Sequence, residues 1–474
     1  MRLLQELDER QVRLGYVNCV VLMAGRQLDT RTALRRRFDN YVFRKVDEDS
    51  PEYRDFLAYI DEDGKRTLDR QDQQRQRARG GSKGARDLIA VLQREHRNGR
   101  FRYVSHLWLL QRTLPSHLGP LAPERSGVFL EHAKHLGLIA ETYALTETGY
   151  VLKQLLLEHD PTLSEGRATP NPLQIGPHIA VRALYLWALL ENDALTPFLV
   201  REFVAQHQNG PALLIGAVDR LIQSFAKGAR IDSAMEMKEL RSYYERIAKG
   251  ARVAKLQVGF PRKKRLADDG LRAFIERGAT MQPGMKIHRH HVRPRLEHYV
   301  DIGLLGRRNL AHTADTVYEP SAQTNRAVEA WGPILDDPKT IRRFLDGQFF
   351  ARTADIFRLA NARACNHLEC LIYFAKAFEL VGRAIGFTPA RTVSFAACLL
   401  ALEDARIAEI DTMFDAVYAT AKTDLGEYFI FSGGSRFDRE FLIRVRPEIV
   451  PILQERALRP ETSSQIAGER PYEV

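Results

Sequence analysis

Residues 130–149 read LEHAKHLGLIAETYALTETG, and this stretch decides the fold. Apolar residues at helical spacing lead up to Gly137, and a glycine suits the left-handed conformation that commonly ends a helix. Two short β-like runs with a tight turn between them follow over residues 138–146, and the helical pattern returns from Glu147. The stretch therefore predicts a helix, a small hairpin and a closing helix.

The preceding residues predict two more helices, around 88–92 and 104–110, and Pro123 suits the first turn of the helix that ends at Gly137. Three helices, a hairpin and a closing helix is the order of a winged helix. The string Leu-Gly-Leu-Ile at 136–139, with Tyr-x-Leu-Thr-x-x-Gly at 143–149, resembles the winged-helix DNA-binding superfamily. The resemblance implies a recognition helix that ends at Gly137 and a wing formed by the hairpin. Transcription regulators and partner-binding domains both share this pattern.

A second copy of the pattern follows 166 positions later. Residues 296–305 read LEHYVDIGLL and match residues 130–139 at Leu, Glu, His, Gly and Leu. Tyr318 stands where Tyr143 stood, after a longer predicted wing. Pro294 lies inside the expected recognition helix, and proline must start or kink a helix. We therefore expect this helix to begin near Arg293 and to run for about three turns.

The fold class that we expect is mainly α, with tandem winged-helix domains, a helical connector and a C-terminal helical bundle. The expected divisions are an N-terminal helical region at 1–84, winged helix 1 at 85–160, a connector at 161–250, a basic segment with winged helix 2 at 251–335, a bundle at 336–460 and a loose tail at 461–474. Leu136, Leu138, Leu296, Ile302 and Leu304 are expected in the core of their units.

Charge is concentrated in one part of the chain. The 474 residues carry a formal charge of +10, and the segment 249–308 alone holds fifteen Lys or Arg against five Asp or Glu. A focused basic surface attracts polyanions and releases their counterions. The segment is therefore interpreted as a nucleic-acid docking face, with a solvated basic surface as the alternative.

The candidate nucleic-acid contacts are the basic and histidine side chains of this segment. They are Arg262, Lys263, Lys264, Arg265, Lys286, Arg289, His290, His291, Arg293, Arg295, Arg307 and Arg308. Four consecutive cations repel one another unless they face solvent or phosphate. Arginine also binds phosphate in a bidentate manner and can read guanine edges.

Metal and catalytic interpretations of the sequence are weaker. His288, His290 and His291 lack a nearby cysteine or carboxylate to complete a tetrahedral site. Cys365 and Cys370 are interpreted as buried helical cysteines. A nuclease site at Asp232, Glu236 and Lys238 has the wrong spacing in helical sequence, and the chain has no Walker A motif or dinucleotide fingerprint. We expect no cofactor and favour a binding protein over an enzyme.

The leading functional interpretation is a DNA-binding protein, with duplex DNA as the ligand, that serves as an accessory or regulatory subunit of a bacterial DNA-processing or antiviral defence system. Protein partners are expected at winged helix 1 and the bundle, and self-association is possible through the bundle. The alternatives are a kleisin-like interaction scaffold of a chromosome-organising complex, and a nuclease with dispersed residues. The sequence has neither a signal-peptide pattern nor eighteen uninterrupted apolar residues, so we expect a cytoplasmic protein without a membrane span.

Overall fold

The computed structural model describes residues 13–42, 127–163, 175–206, 211–227, 291–309, 316–382, 387–420, 423–433 and 441–458. Over these ranges the protein is mainly α-helical with a few short strands, which confirms the expected class. The chain forms two compact units, Met1–Arg342 and Arg343–Val474. No helix in these ranges is both long and apolar enough to cross a membrane.

The first unit contains ten α-helices and one two-stranded sheet in its described part. In chain order they are α1 (Leu14–Met23), α2 (Arg31–Val42), α3 (Gly127–His135), α4 (Glu147–His159), α5 (Ile179–Asn192), α6 (Leu195–Gln206), α7 (Pro211–Lys227), α8 (Arg293–Ile302), β1 (Leu305–Asn309), β2 (Thr316–Pro320), α9 (Ala322–Ala330) and α10 (Gly332–Asp336).

Helices α1 and α2 share a core with α3 and α4. The Tyr16 ring of α1 stacks on Phe129 of α3 with 4.3 Å between ring centroids, and Phe38 of α2 lies 6.2 Å from the same ring. The backbone N–H of Leu145 donates to Gly25 O at 2.8 Å, so the α1–α2 connection pairs with the predicted wing. The N-terminal helices, which the sequence assigns to a separate region, therefore pack with α3. The helices expected at 88–92 and 104–110 lie outside the described residues.

Two glycines explain the turn after α3. Gly137 has φ +67°, the left-handed conformation that the sequence predicts. A Cβ on Gly149 would lie 1.8 Å from Leu138 O, so only glycine allows α4 to approach this backbone. Thr146 caps α4 by accepting from Gly149 N at 3.1 Å and donates to Gly137 O at 2.6 Å. The hairpin itself is a single antiparallel bridge between Ile139 and Leu145.

Helix α8 begins at Arg293 with Pro294 in its first turn, as expected, and ends at Gly303 with φ +87°. Strands β1 and β2 then pair antiparallel, with Leu305 opposite Pro320. Ser321 and Thr324 form a capping box on α9. Both side chains also donate to Leu304 O, as Thr146 does to Gly137 O after α3.

Equivalent contacts occur within each half of the first unit. Tyr143 OH donates to Glu131 Oε1 at 3.4 Å, and Tyr318 OH donates to Glu297 Oε1 at 2.5 Å. Earlier in each half, α2 and α6 carry buried leucine and phenylalanine at a spacing of 165 residues, Leu34 with Leu199 and Phe38 with Phe203. We call residues 14–159 the first repeat and residues 179–330 the second repeat.

The five leucine and isoleucine side chains expected in the core, Leu136, Leu138, Leu296, Ile302 and Leu304, are fully buried, which confirms the register of both repeats. Tyr143 lies in a turn and Tyr318 in a strand, so neither region is helical, as predicted. The connector also forms helices where expected, at α5, α6 and α7.

The second unit combines helices with a small sheet. Its elements are α11 (Ile341–Gly347), α12 (Phe349–Phe357), β3 (Arg363–Ala364), α13 (His367–Val381), β4 (Thr388–Pro389), α14 (Ala390–Glu403), β5 (Arg406–Ile407), α15 (Ile410–Thr420), β6 (Phe429–Ser432), β7 (Leu442–Val445) and α16 (Ile449–Leu458). The helices fall within the bundle that the sequence predicts at 336–460, although no helix was predicted at the position of α16. The antiparallel sheet, in the order β4-β7-β6, and the parallel β3–β5 pair were not predicted, because strands of two to four residues carry too little alternation to detect.

Candidate functional site

Most of the expected nucleic-acid contacts lie outside the described residues. These are Arg262, Lys263, Lys264, Arg265, Lys286, Arg289 and His290, together with the side chain of Arg308. The structure does place His291, Arg293, Arg295 and Arg307, and it separates them into two groups by burial.

Arg295 and His291 are buried and do not face solvent. Arg295 has no exposed surface, its Nε donates to Asp193 Oδ2 at 2.7 Å, and its Nη1 donates to His291 O at 2.9 Å. His291 is 2% exposed. Because the charge of Arg295 is matched inside the protein, neither side chain can reach a phosphate while α8 stays packed. The sequence alone could not show this, since Asp193 lies 102 residues away.

Arg293 and Arg307 remain partly accessible. Arg293 is half-buried in the first turn of α8; its Nε and Nη2 are themselves buried and have no hydrogen-bond partner in the described part of the chain, so only the rest of the side chain is accessible. Arg307 on β1 lies 3.3 Å from Glu297 Oε2 and keeps 17% of its side chain exposed. These two arginines are the described candidates that a ligand can approach.

The centres of α3 and α8 meet at a pair of histidines. His132 and His298, which occupy equivalent positions in the two repeats, stack with 4.6 Å between ring centroids and 24° between ring planes. Neither residue has exposed surface. The helices that the winged-helix resemblance assigns to recognition therefore meet through these buried side chains.

The two helices run in opposite directions past α5. Asn192 at the end of α5 donates to Leu136 O at 3.1 Å, next to the C-terminal end of α3. Arg182, near the start of α5, lies beside Gly303 at the C-terminal end of α8. Ten helical residues separate these two contacts, which corresponds to roughly 15 Å. The repeats thus face each other with α3 and α8 antiparallel.

Asp193 joins the two helices at one end of this contact. It follows α5, and its Oδ2 lies 3.4 Å from His135 Nε2 on α3 as well as 2.7 Å from Arg295 Nε on α8. Burial acts to raise the pKa of Asp193, but Arg295 and His135 hold it well below its ordinary value. The carboxylate is therefore ionised and bridges both repeats. We call the group His132, His135, Asp193, Arg295 and His298 the junction.

A second set of ion pairs fixes the other end of α8. Arg13, before α1, lies 2.9 Å from Glu297 Oε2 and 2.5 Å from Asp301 Oδ1. Burial raises the pKa of Asp301 to about 6, and Arg13 opposes that rise. At neutral pH the carboxylate is largely ionised, as the short contact requires. The first repeat is thus clamped to the second through its own N-terminal residues.

The junction and the ion pairs of Arg13 are suited to holding the two repeats together. Within either unit taken alone, no three His, Cys or acidic side chains of the described residues lie close enough to share a metal ion. Cys370 is buried in α13, as expected. Cys365, however, lies before that helix and is half-buried, so the interpretation of both cysteines as helical is wrong for Cys365.

Sequence reasoning missed the junction, although one signal for it was present. The matched strings at 130–139 and 296–305 both contain histidine in the middle of an otherwise apolar helix face. Two equivalent helices that each bury a histidine can satisfy this pattern by packing together. The partner residue Asp193 gave no such signal.

No protein-family model, no curated protein and no solved structure matches the chain.

Proposed function

We propose that this chain is a DNA-binding protein built on two winged-helix repeats, which are joined through α3 and α8 and bind duplex DNA through the basic segment 249–308. In this arrangement α3 and α8 hold the repeats together. Contact with phosphate then falls to the rest of the basic segment, and to Arg293, Arg307 and Arg308 within it.

The repeated element order supports the winged-helix part of the proposal. Each repeat has a helix that ends in a left-handed glycine, a hairpin and a helix that begins at a Ser or Thr cap. In each, a hairpin tyrosine bonds to a glutamate on the preceding helix. Of these features, the glycine at the helix end, the hairpin and the closing helix are those that the resemblance to winged-helix domains predicts.

The observation that carries DNA binding is the position of the surplus charge. The segment 249–308 holds a surplus of ten positive charges, which equals the surplus of the whole chain. This segment includes α8 and most of β1, where Arg293 and Arg307 are partly exposed. Winged-helix wings usually touch the DNA backbone, and phosphate contacts give affinity without requiring a helix in the groove.

The test is fluorescence anisotropy on labelled duplex and single-stranded DNA at several salt concentrations. Reversing Arg262, Lys263, Lys264 and Arg265 to glutamate is expected to abolish most duplex binding. Removing one phosphate-binding cation flattens the plot of log affinity against log salt by about 0.9. A matched control makes the same charge change at exposed arginines elsewhere, namely Arg36, Arg343, Arg444 and Arg446. An equal weakening in the control, or no binding by the wild type at low salt, contradicts the proposal.

A protein-interaction scaffold is the second candidate, and the burial of α3 against α8 favours it. Winged helices that dock on proteins use the same helix that others place in DNA, and here both copies of that helix pack on protein. In a scaffold of this kind the basic segment binds an acidic partner protein. Wild-type protein that binds no DNA at low salt but binds polyglutamate would select this candidate. Membership of a DNA-processing or defence system stays a prediction that the neighbouring genes would test.

A further inference from the structure

The His132–His298 contact has an unusual electrostatic environment. Both rings are fully buried, and neither ring nitrogen of His132 has a hydrogen-bond partner among the residues that the structure describes. Burial lowers the pKa of His132 well below its ordinary value of 6.5, and His298, His135 and Arg295 lower it further. The imidazole is therefore neutral while the junction is closed.

The charged groups around His132 give little stabilisation to its protonated form. Asp193 is the carboxylate that favours protonation of His132, and it already pairs with Arg295 and His135. Glu297 and Asp301 on α8 are engaged with Arg13, and Glu297 also accepts from Tyr318 and Arg307. The other titratable groups on the helices around the junction are the thiol of Cys19 and the hydroxyls of Tyr185 and Tyr299. Their raised pKa values keep them uncharged at neutral and acidic pH.

We propose that the junction between the repeats is a pH-sensitive switch, which stays closed at neutral pH and opens when His132, buried against His298, takes up a proton. Opening separates α3 from α8 and exposes the helix faces that the repeats bury at neutral pH. This inference concerns the contact between the repeats and holds whether the chain binds DNA or protein.

The direction of the pH dependence follows from proton linkage. A histidine whose pKa is lower in the closed state gives stability that is present above pH 6.5 and decreases as the pH falls. Asp301, with its pKa raised to about 6, has the opposite dependence, because the closed state binds its proton more readily than an open state does. The test must therefore isolate the histidines.

Amide hydrogen exchange of the full chain, followed by mass spectrometry, measures opening at α3 and α8 directly. The variant H132F/H298F keeps a stacked aromatic pair that cannot titrate, and it retains the contribution of Asp301. Between pH 7.5 and 5.5, after correction for intrinsic exchange rates, the opening constant of the wild type relative to that of the variant is expected to rise about tenfold as His132 takes up a proton. Peptides from α13 and α14 serve as an internal reference.

One result overturns the proposal: opening constants at α3 and α8 that depend on pH equally in wild type and variant. If the variant fails to fold, histidine ring NMR of the wild type decides instead. The proposal expects His132 to stay neutral below pH 6 until the α3 amides exchange. A His132 that protonates near pH 6.5 with α3 still protected contradicts it.

Discussion

At the scale of single residues, Gly149 makes a backbone approach that no other residue permits. A Cβ there would meet Leu138 O at 1.8 Å, and the contacted atom belongs to backbone that cannot rotate away. We expect Gly149→Ala to lower the free energy of unfolding by about 1–3 kcal/mol, as overpacking in a core does. Urea unfolding followed by tryptophan fluorescence measures it, because all three tryptophans, Trp108, Trp187 and Trp331, lie in the first unit.

The matched control for this substitution is Gly332→Ala, since a Cβ at Gly332 meets nothing within 4 Å. Its effect is expected to stay within about 1 kcal/mol. If both alanines cost the same, the close approach of α4 to Leu138 is not what selects glycine at 149.

Asp193 is the residue on which both repeats depend. Asp193→Asn leaves Arg295 buried without a counter-charge, which is expected to cost about 3–5 kcal/mol in the same assay. Glu131→Gln is the control, because its ion pairs with Arg31 and Lys134 are partly exposed and exposed pairs contribute about 0–1 kcal/mol. Similar destabilisation of the two variants would show that the buried bridge does not hold the junction.

Local signals predicted some of these residues and could not predict others. Gly137, Gly303 and the buried leucines beside them follow from the helix-end pattern, which extends over a few residues. The burial of Arg295 depends on Asp193, which is distant in sequence, and no local rule distinguishes this arginine from a surface one. An arginine at a helix start therefore predicted phosphate contact where the structure has an internal ion pair.

At the scale of elements, a buried carboxylate holds the start of α12. Glu409 accepts from the backbone N–H groups of Phe350 and Ala351 at 3.1 and 2.7 Å. Burial raises its pKa to about 7 even though these N–H groups oppose the rise. The folded state therefore binds a proton more readily than the unfolded state, whose ordinary value is 4.5.

From this shift we expect the contribution of Glu409 to stability to be greatest below pH 4.5 and to disappear as the pH rises through 7. The change is on the order of 1–3 kcal/mol. Urea unfolding of wild type and E409Q at pH 5 and pH 8, followed by circular dichroism, measures it. The difference between the two pH values is expected to be smaller in E409Q; an equal difference in both proteins would mean that Glu409 does not titrate there.

The longer helices of both units were predictable because their apolar stripes extend over ten or more residues. Helix α15 begins and ends where its pattern does, and α8 begins at the residue that Pro294 selects. The contact between α3 and α8 was not predictable, because an apolar face shows that a helix packs without showing which surface it packs on. The resemblance to winged helices suggested DNA for this face, and the structure places the other repeat there.

At the scale of the whole molecule, the first unit contains two repeats that meet through buried side chains of α3 and α8. Equivalent residues, His132 and His298, lie at the centre of this contact. Such packing leaves α3 and α8 unavailable at neutral pH, so any binding surface of the first unit has to lie elsewhere. In the DNA-binding proposal this surface is the part of segment 249–308 that precedes α8.

A double-mutant cycle on His132→Ala and His298→Ala, measured by urea unfolding with tryptophan fluorescence, tests the contact between the repeats most directly. The first alanine substitution already removes the contact between the two rings. The other substitution is therefore expected to lower the free energy of unfolding by less in the single mutant than in the wild type. The account predicts a coupling energy of about 0.5–3 kcal/mol. Two effects that add to within about 0.3 kcal/mol would show that α3 and α8 do not meet, and would contradict it.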